Sequence, residues 1–285
     1  HSKNINSLIS FFFFFLKFFN FLYFFRSKNT KNIRPYFGIY LKNSGGPYIR
    51  TKRLISYFGN YFINPNIIYA QSFWSEIELK NAISYSKKND VPIIFNQNGL
   101  YYKGWFKGDY KKKNKLISLI QKDSKFIFFQ SIFCKESSIA FTKFKPSKYK
   151  ILYNSIPNLL YKSKKNNNPK VLNIIISGYF NEMNFYIVEP AINVIYKMAK
   201  RLEKSPRLII YGLKKKQLNS KLKKKIQYLE YKNKVMIMDN YNIKNISLIL
   251  KNIHLALHLK YKDPCPNSVL ERMHYGIPHI ISHSG

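Results

Sequence analysis

From residue 36 onward the chain alternates short apolar runs with mixed polar and apolar stretches of helical length, and that alternation leaves few folds open. Strands separated by whole helices cannot pair as hairpins; they make βαβ crossovers and a parallel sheet. Strands are expected at Tyr36–Leu41, Ile67–Ala70, Pro92–Phe95, Phe126–Gln130 and Lys150–Tyr153, with helices near 48–58, 75–89, 113–122 and 132–143. Ser163–Lys170 (SKKNNNPK) breaks the rhythm with polar residues and a proline, and reads as a linker. The alternation then restarts. Strands are expected at Val171–Ser177, Arg207–Tyr211, Val235–Met238, Ile253–His258 and His279–Ser282, around helices near 187–203, 214–231, 243–251 and 268–275. The expected fold class is therefore α/β, with two doubly wound, Rossmann-like domains at 31–162 and 171–285. In tandem these would face each other across a cleft at the carboxyl ends of their strands, where such sheets bind ligands. The chain begins at His1 and stops at Gly285 just after a predicted strand, so both ends read as truncated and the second domain as incomplete.

The formal charge of +36 suggests a polyanionic partner, but its make-up argues otherwise. Of 49 basic residues, 42 are Lys and 7 are Arg, whereas bidentate recognition of phosphates and bases favours Arg. Lys is abundant alongside Asn, Ile, Phe and Tyr, all encoded by A/T-rich codons, which points to base composition. At 46% hydrophobic residues the chain is too apolar to be disordered. The two cysteines, Cys134 and Cys265, are too few and too far apart for a disulfide framework and suit a reducing compartment.

Residues 1–30 stand apart. The stretch 7–25 (SLISFFFFFLKFFNFLYFF) is just long enough to span a bilayer, but Lys17 near its middle would cost about 2.5–3.5 kcal/mol there. On a helical wheel Asn6, Ser10, Lys17 and Asn20 share one side, and Arg26, Lys28 and Lys31 follow. This pattern favours a helix lying in an anionic membrane interface, with a spanning anchor and a helix docked on the domain as the other readings. No small-residue cleavage site follows.

Three clusters carry chemistry. Ser44-Gly45-Gly46-Pro47 follows the first strand and opens a helix, where backbone approaches a ligand closely and free N–H groups meet an anion; it also reads as an ordinary βα turn, and it is neither a GxGxxG fingerprint nor a Walker loop. Asn96-Gln97-Asn98-Gly99 sets three amides after the third strand, suited to sugar hydroxyls, while Asn-Gly is also a common turn. Tyr101, Tyr102 and Trp105 nearby could stack on a sugar or pack in the core. The third is the most specific: Lys262-Asp263-Pro264-Cys265-Pro266-Asn267-Ser268-Val269-Leu270-Glu271-Arg272-Met273, ending Tyr275-Gly276-Ile277-Pro278. A capping box, Ser268 to Glu271, accounts for two of these residues without a ligand. It leaves the proline-bracketed acidic loop unexplained.

With those residues in view, the sequence resembles the retaining glycosyltransferases of family 4, which have the GT-B fold, from about Arg34 to Gly285. The resemblance rests on Gly45-Gly46, Ile151–Ile156, Ile174–Gly178 and the block Asp263–Pro278, which matches an acidic-x7-Glu motif followed by Glu-x-Met-x-x-Gly-x-Pro. It implies transfer of a sugar from a UDP- or GDP-type nucleotide-sugar to a glycan or lipid-linked acceptor, with retention of configuration, in cell-surface polysaccharide synthesis. Asp263 and Glu271 would be the catalytic-site carboxylates, Asp263 on the donor sugar and Glu271 on the ribose. Asn267, Ser268 and Val269 would meet the diphosphate, and Gly45, Gly46 and Asn98 would serve the phosphate or acceptor side. No cofactor or metal is implied. The setting would be cytoplasmic, at the inner face of the cytoplasmic membrane.

Three departures bear on this. Asp263 stands where Glu is usual. Tyr179 stands where an Arg is usual and no Lys follows, so the basic pair for the diphosphate is missing unless Lys214–Lys216 replace it. The Gln97-Asn98-Gly99 turn stands where many members carry a His. Histidines 254, 258, 274, 279 and 283 crowd the end of the chain, yet lack a zinc-like spacing with Cys or carboxylate. Lys111–Lys113 and Lys223–Lys225 read as solvated helix faces, or as a patch for an anionic membrane or phosphorylated lipid. The alternatives are an inactive relative that binds glycans or nucleotides, and a basic nucleic-acid binder, for which no Arg cluster or recognition module is visible.

Overall fold

The computed structural model describes residues 33–39, 46–103, 106, 108–156, 171–178, 180, 182–203, 205–214, 218–239 and 246–283. The expected N-terminal helix and the linker at 163–170 lie outside these residues. The chain divides into two compact units that part between Asn154 and Ser155. Each is built on its own five-stranded parallel sheet.

The first unit runs β1 (Pro35–Tyr36), α1 (Gly46–Phe58), β2 (Ile67–Gln71), α2 (Glu76–Asn89), β3 (Ile93–Gln97), α3 (Tyr110–Lys122), β4 (Phe126–Phe129), α4 (Ile132–Thr142) and β5 (Tyr149–Ile151). Its strands lie in sequence order, β1-β2-β3-β4-β5. Ile68, Ala70, Ile93, Phe95, Ile127 and Phe129 are buried in one core with Leu79, Ala82, Leu116, Ile117 and Ile120 of the covering helices. Alternate strand residues share a face, so the apolar spacing of two in β2, β3 and β4 builds that layer. Helices α2, α3 and α4 open on Ser75, Asp109 and Ser131, whose side chains accept from the amides of Glu78, Lys112 and Cys134. Each such cap is worth about 1 kcal/mol.

Two boundaries correct the sequence expectation. The ladder of β1 ends at Tyr36 instead of Leu41, because side chains take its outgoing amides: Phe37 N–H donates to Asn60 Oδ1 at 2.9 Å and Ile39 N–H to Glu78 Oε1 at 3.0 Å. Conversely β3 runs on through Asn96 and Gln97, which pair in register with Phe128 and Phe129 of β4. Those amides belong to the strand and are fully buried, and only Asn98-Gly99 turns.

The second unit runs β6 (Asn173–Ser177), a 3₁₀ turn (Glu182–Ile187), α5 (Glu189–Arg201), β7 (Arg207–Tyr211), α6 (Ser220–Tyr231), β8 (Val235–Met238), α7 (Ile246–Leu250), β9 (Leu255–His258), α8 (Asn267–His274) and β10 (His279–Ile281). Here the order is β10-β9-β6-β7-β8: the chain winds outward from β6 to β8, then returns to β6's other side. The reversal that defines double winding lies between β6 and β9. Ile174, Ile176, Leu208 and Ile210 pack on α5 and α6, while Ile175 and Ala256 pack with Leu250, Ile253, Tyr275 and Ile277. A sheet apolar on both faces must be covered on both faces, which is why β6 and β7 read as unbroken Ile and Leu runs.

Among the described residues no helix is long and apolar enough to cross a membrane. Of the two lysine runs, Lys111, Lys112, Lys223 and Lys224 are exposed as expected. The third of each is tied down: Lys113 Nζ donates to Trp74 O, and Lys225 Nζ to Asn193 Oδ1 beneath the Tyr196 ring.

Candidate functional site

In a doubly wound sheet the crevice opens at the carboxyl ends of the two strands flanking the reversal, here Ser177-Gly178 after β6 and the loop after β9. That loop, residues 259–266, carries Asp263 and leads directly into α8. It is held in shape from several sides. Tyr261 N–H donates to Tyr186 Oη, and Ser282 Oγ donates to Lys260 O. Lys262 adopts φ +54°, unusual for a side chain of its size. The turn folds Asp263 back onto its own strand. Its Oδ2 lies 3.5 Å from His258 Nε2 and 3.2 Å from Lys260 Nζ, with the side chain only 15% exposed. Burial alone would push this carboxyl up, but the hydrogen bonds and charge of His258 and Lys260 outweigh it and hold it at about 2. Asp263 is thus a fixed anion.

Helix α8 starts at Asn267, with Pro266 in the capping position and no side chain capping it. The expected Ser268 to Glu271 capping box is not formed, because Ser268 is the helix's second residue and a cap must precede the first. Val269 N–H, at the position that the capped helices α2, α3, α4 and α6 satisfy with a side chain, bonds Pro266 O at 3.1 Å instead, so the amides of Asn267 and Ser268 are the first-turn donors that remain. Asn267 Oδ1 is buried without a partner, Val269 is buried, and Glu271 is half-buried.

Sequence reasoning missed Arg272. It is fully buried and is the largest such side chain among the described residues. One guanidinium nitrogen donates to Ser177 Oγ, while Nε and the other nitrogen have no partner. A helical side chain leans toward the helix N-terminus, so an Arg in the second turn of α8 reaches back to the sheet's carboxyl edge. Two signals were available: Val269 and Arg272 share a helix face at spacing i, i+3, and Arg is scarce in this chain.

Two of the histidines serve separate structural contacts. His254 Nδ1 accepts from Asn173 N–H at 3.0 Å, and His258 faces Asp263. Among the described residues no group of three or more His, Cys, Asp or Glu is placed to hold a metal ion. Lys214 is exposed beyond β7, while Tyr179, Lys215 and Lys216 lie outside the described residues.

In the first unit, Gly45 and Trp105 lie outside the described residues, and Gly46 is the first residue of α1. Asn98 sits at the carboxyl end of β3 in an amide cluster. Its N–H donates to Ser72 Oγ at 3.0 Å, and its Oδ1 accepts from Asn96 Nδ2 and Gln130 Nε2. Asn98 Nδ2 and Asn96 Oδ1 are buried without partners. Tyr101 packs on the core and donates to Ser72 O; burial pushes its phenol up to about 12. Near the exit of β1, burial raises the Glu78 carboxyl to about 7, partly offset by hydrogen bonds from backbone amides. Arg50 reaches Asn154, in the stretch that leaves the unit, at 3.1 Å.

Two α/β units on parallel five-stranded sheets match the GT-B glycosyltransferase structures. Solved structures similar in fold include HepE of Anabaena with UDP and glucose (13% identity, TM-score 0.59, covering 84% of this chain and 63% of that one), sucrose-phosphate synthase of Thermosynechococcus elongatus (11%, 0.57, 84% and 60%), and a glycosyltransferase of Rickettsia africae (14%, 0.56, 86% and 65%). The chain spans less than two thirds of the length of each of these three. Residues 162–285 match the family model described as Glycosyl transferases group 1. The chain thus shares the fold of these structures, and its second unit is similar to a group 1 glycosyl transferase domain. No curated protein matches the sequence.

Proposed function

We propose that the chain transfers a sugar from a nucleotide-sugar, of UDP or GDP type, to a glycan or lipid-linked acceptor with retention of configuration, in cell-surface polysaccharide synthesis at the cytoplasmic membrane. The observation that carries the reading is the coincidence of the family match with the β9–α8 connection: a fixed carboxylate and an uncapped helix N-terminus meet at the reversal of the second sheet. The first turn of α8, Asn267 to Val269, would receive the diphosphate and stabilise it as it leaves. Glu271 would hold the ribose and Asp263 the donor sugar. Gly45, Gly46 and the amides around Asn98 would serve the acceptor side. HepE has been solved with UDP and with UDP-glucose, which supports UDP as the first donor base to try. The basic Phe-rich segment at 1–30 would bring the enzyme to its membrane.

The test is release and transfer of radiolabelled sugar from UDP- and GDP-sugars by wild type and Glu271→Ala. Glu271→Ala should lose at least about a hundredfold in rate with its unfolding transition unchanged; an unaltered rate refutes the site. A second reading, a binder without transfer, is favoured by the engagement of Asp263 with His258 and Lys260. It predicts nucleotide binding with no sugar released.

A further inference from the structure

We propose that the turn leaving α1, together with the chain entering β1, is a surface of the folded first unit that lies on an anionic bilayer. This rests on the membrane setting proposed above for residues 1–30. Helix α1 closes on Tyr57-Phe58, and the chain turns through Gly59-Asn60-Tyr61-Phe62-Ile63. Of the five large apolar side chains in that stretch only Phe62 turns inward, onto Tyr36. Tyr57 is 83% exposed, and Phe58, Tyr61, Ile63 and, at the entry to β1, Ile33 are exposed with it. The turn that holds them is fixed. Gly59, at φ +76°, ends the helix with its N–H on Ile55 O at 2.8 Å. Tyr61 N–H donates to Pro35 O and Asn66 N–H to Arg34 O, both at 3.0 Å, which ties the turn to the strand that Ile33 leads into. Aromatic and aliphatic side chains held out in water together gain by burial, and tyrosine rings suit the boundary between head groups and acyl chains.

Charge selects the occupant. The first acidic residue of the chain is Glu76, and ten Lys and Arg precede it. Four of the seven arginines, Arg26, Arg34, Arg50 and Arg53, are among them, and Arg is the side chain whose geometry matches phosphate. Residues 7–25 are apolar enough to cover the exposed aromatics themselves. Doing so would bring Arg26, Lys28 and Lys31 toward Arg34, Lys52 and Arg53, with no acidic residue in either stretch. A second copy of the same surface would meet the same repulsion. A layer of phosphate head groups neutralises both basic stretches at once, and each basic residue near it strengthens the hold. The Phe-rich segment and the turn after α1 then act as two linked contacts on one membrane, each raising the effective concentration of the other.

The test uses the full chain and vesicles of brominated phosphatidylcholine and phosphatidylglycerol in equal parts. Emission of Tyr57→Trp should be quenched well beyond that of wild type, whose own tryptophans set the baseline. Tyr231→Trp, at an equally exposed tyrosine of the second unit, should stay at that baseline. Replacing Tyr57, Phe58 and Ile63 together by Ser should weaken binding to the same lipids without bromine about tenfold or more, with the urea midpoint unchanged. Raised salt, or phosphatidylcholine alone, should weaken wild type. The proposal is overturned if Tyr57→Trp goes unquenched while wild type binds, which leaves the Phe-rich segment as the contact, or if the triple variant folds and binds as wild type does. It is also overturned if Tyr57→Trp emits at short wavelength before lipid is added, the sign that residues 7–25 cover the turn, or shifts with protein concentration, the sign of a second copy. A wild type that binds no anionic vesicles refutes the membrane setting itself.

Discussion

Replacing Glu78 by Gln should remove a pH dependence from the first unit's stability. Glu78 is 5% exposed, in the first turn of α2, and its Oε1 accepts from Ile39 N–H at 3.0 Å. The close approach requires Gly38, at φ +88°: a Cβ there would lie 2.5 Å from that oxygen and against the Trp74 ring. Burial raises the carboxyl from 4.5 to about 7. The folded state therefore holds a proton that the unfolded chain has released between pH 4.5 and 7. Stability from this group is present below pH 4.5 and is lost as pH rises through 7. Two and a half pKa units at 1.36 kcal/mol each give about 3 kcal/mol. Glu78→Gln keeps the acceptor for Ile39 and carries no charge, so it should gain about 3 kcal/mol on wild type between pH 4.5 and 8. Urea unfolding in a Trp105→Phe background, where Trp74 is the only tryptophan and is buried beside Tyr36, follows this unit. If the two proteins track each other within 1 kcal/mol across that range, or if the gap closes as pH rises, the buried-carboxyl account is wrong.

Asp263 should give the opposite sign. Its folded pKa is held down at about 2 from 3.8, so its stabilisation is complete above pH 3.8 and disappears as pH falls through 2; wild type should lose about 2 kcal/mol relative to Asp263→Asn over that acid range, read by circular dichroism of urea unfolding. Asn98→Leu should strand the amide donors of Asn96 and Gln130 that now share Asn98 Oδ1, costing roughly 1–3 kcal/mol for each left unpaired, read as a fall in the same Trp74 urea midpoint; a change under 0.5 kcal/mol would mean the cluster is wet or differently paired.

The second sheet was legible because its strands are apolar on both faces and its connections are short: Arg207–Tyr211 and Val235–Met238 fall where the apolar runs predict. The first unit was less so, and the failures share a cause. Backbone amides follow the nearest acceptor, and side chains from distant positions supply it. Asn60 and Glu78 draw Phe37 and Ile39 out of the β1 ladder across 23 and 39 residues of sequence. At β3 the ladder to β4 wins instead. It carries Asn96 and Gln97, which local preference assigns to a turn, into a buried strand end where Ser72 N–H donates to Asn96 O and Gln121 Nε2 to Gln97 Oε1. Local propensity sees neither partner.

The site divides in the same way. The acidic-proline loop stands out in the sequence because a lone Asp followed by two prolines, Pro264 and Pro266, interrupts the alternation of strand and helix. The sequence is silent on what the loop does with Asp263, since His258 and Lys260 meet it only when the turn at Lys262 folds back on β9. Arg272 is the harder case. Between Glu271 and Met273 it reads as one more charge on a helix of a chain with 49 basic residues. Its phase, three residues after Val269, puts it on the buried face. A long cation on that face must run back along the helix to an acceptor at the strand ends, and Ser177 is the one it finds. A net charge of +36 hides Arg272, the one fully buried guanidinium among the described residues, where the low dielectric makes a charge most costly.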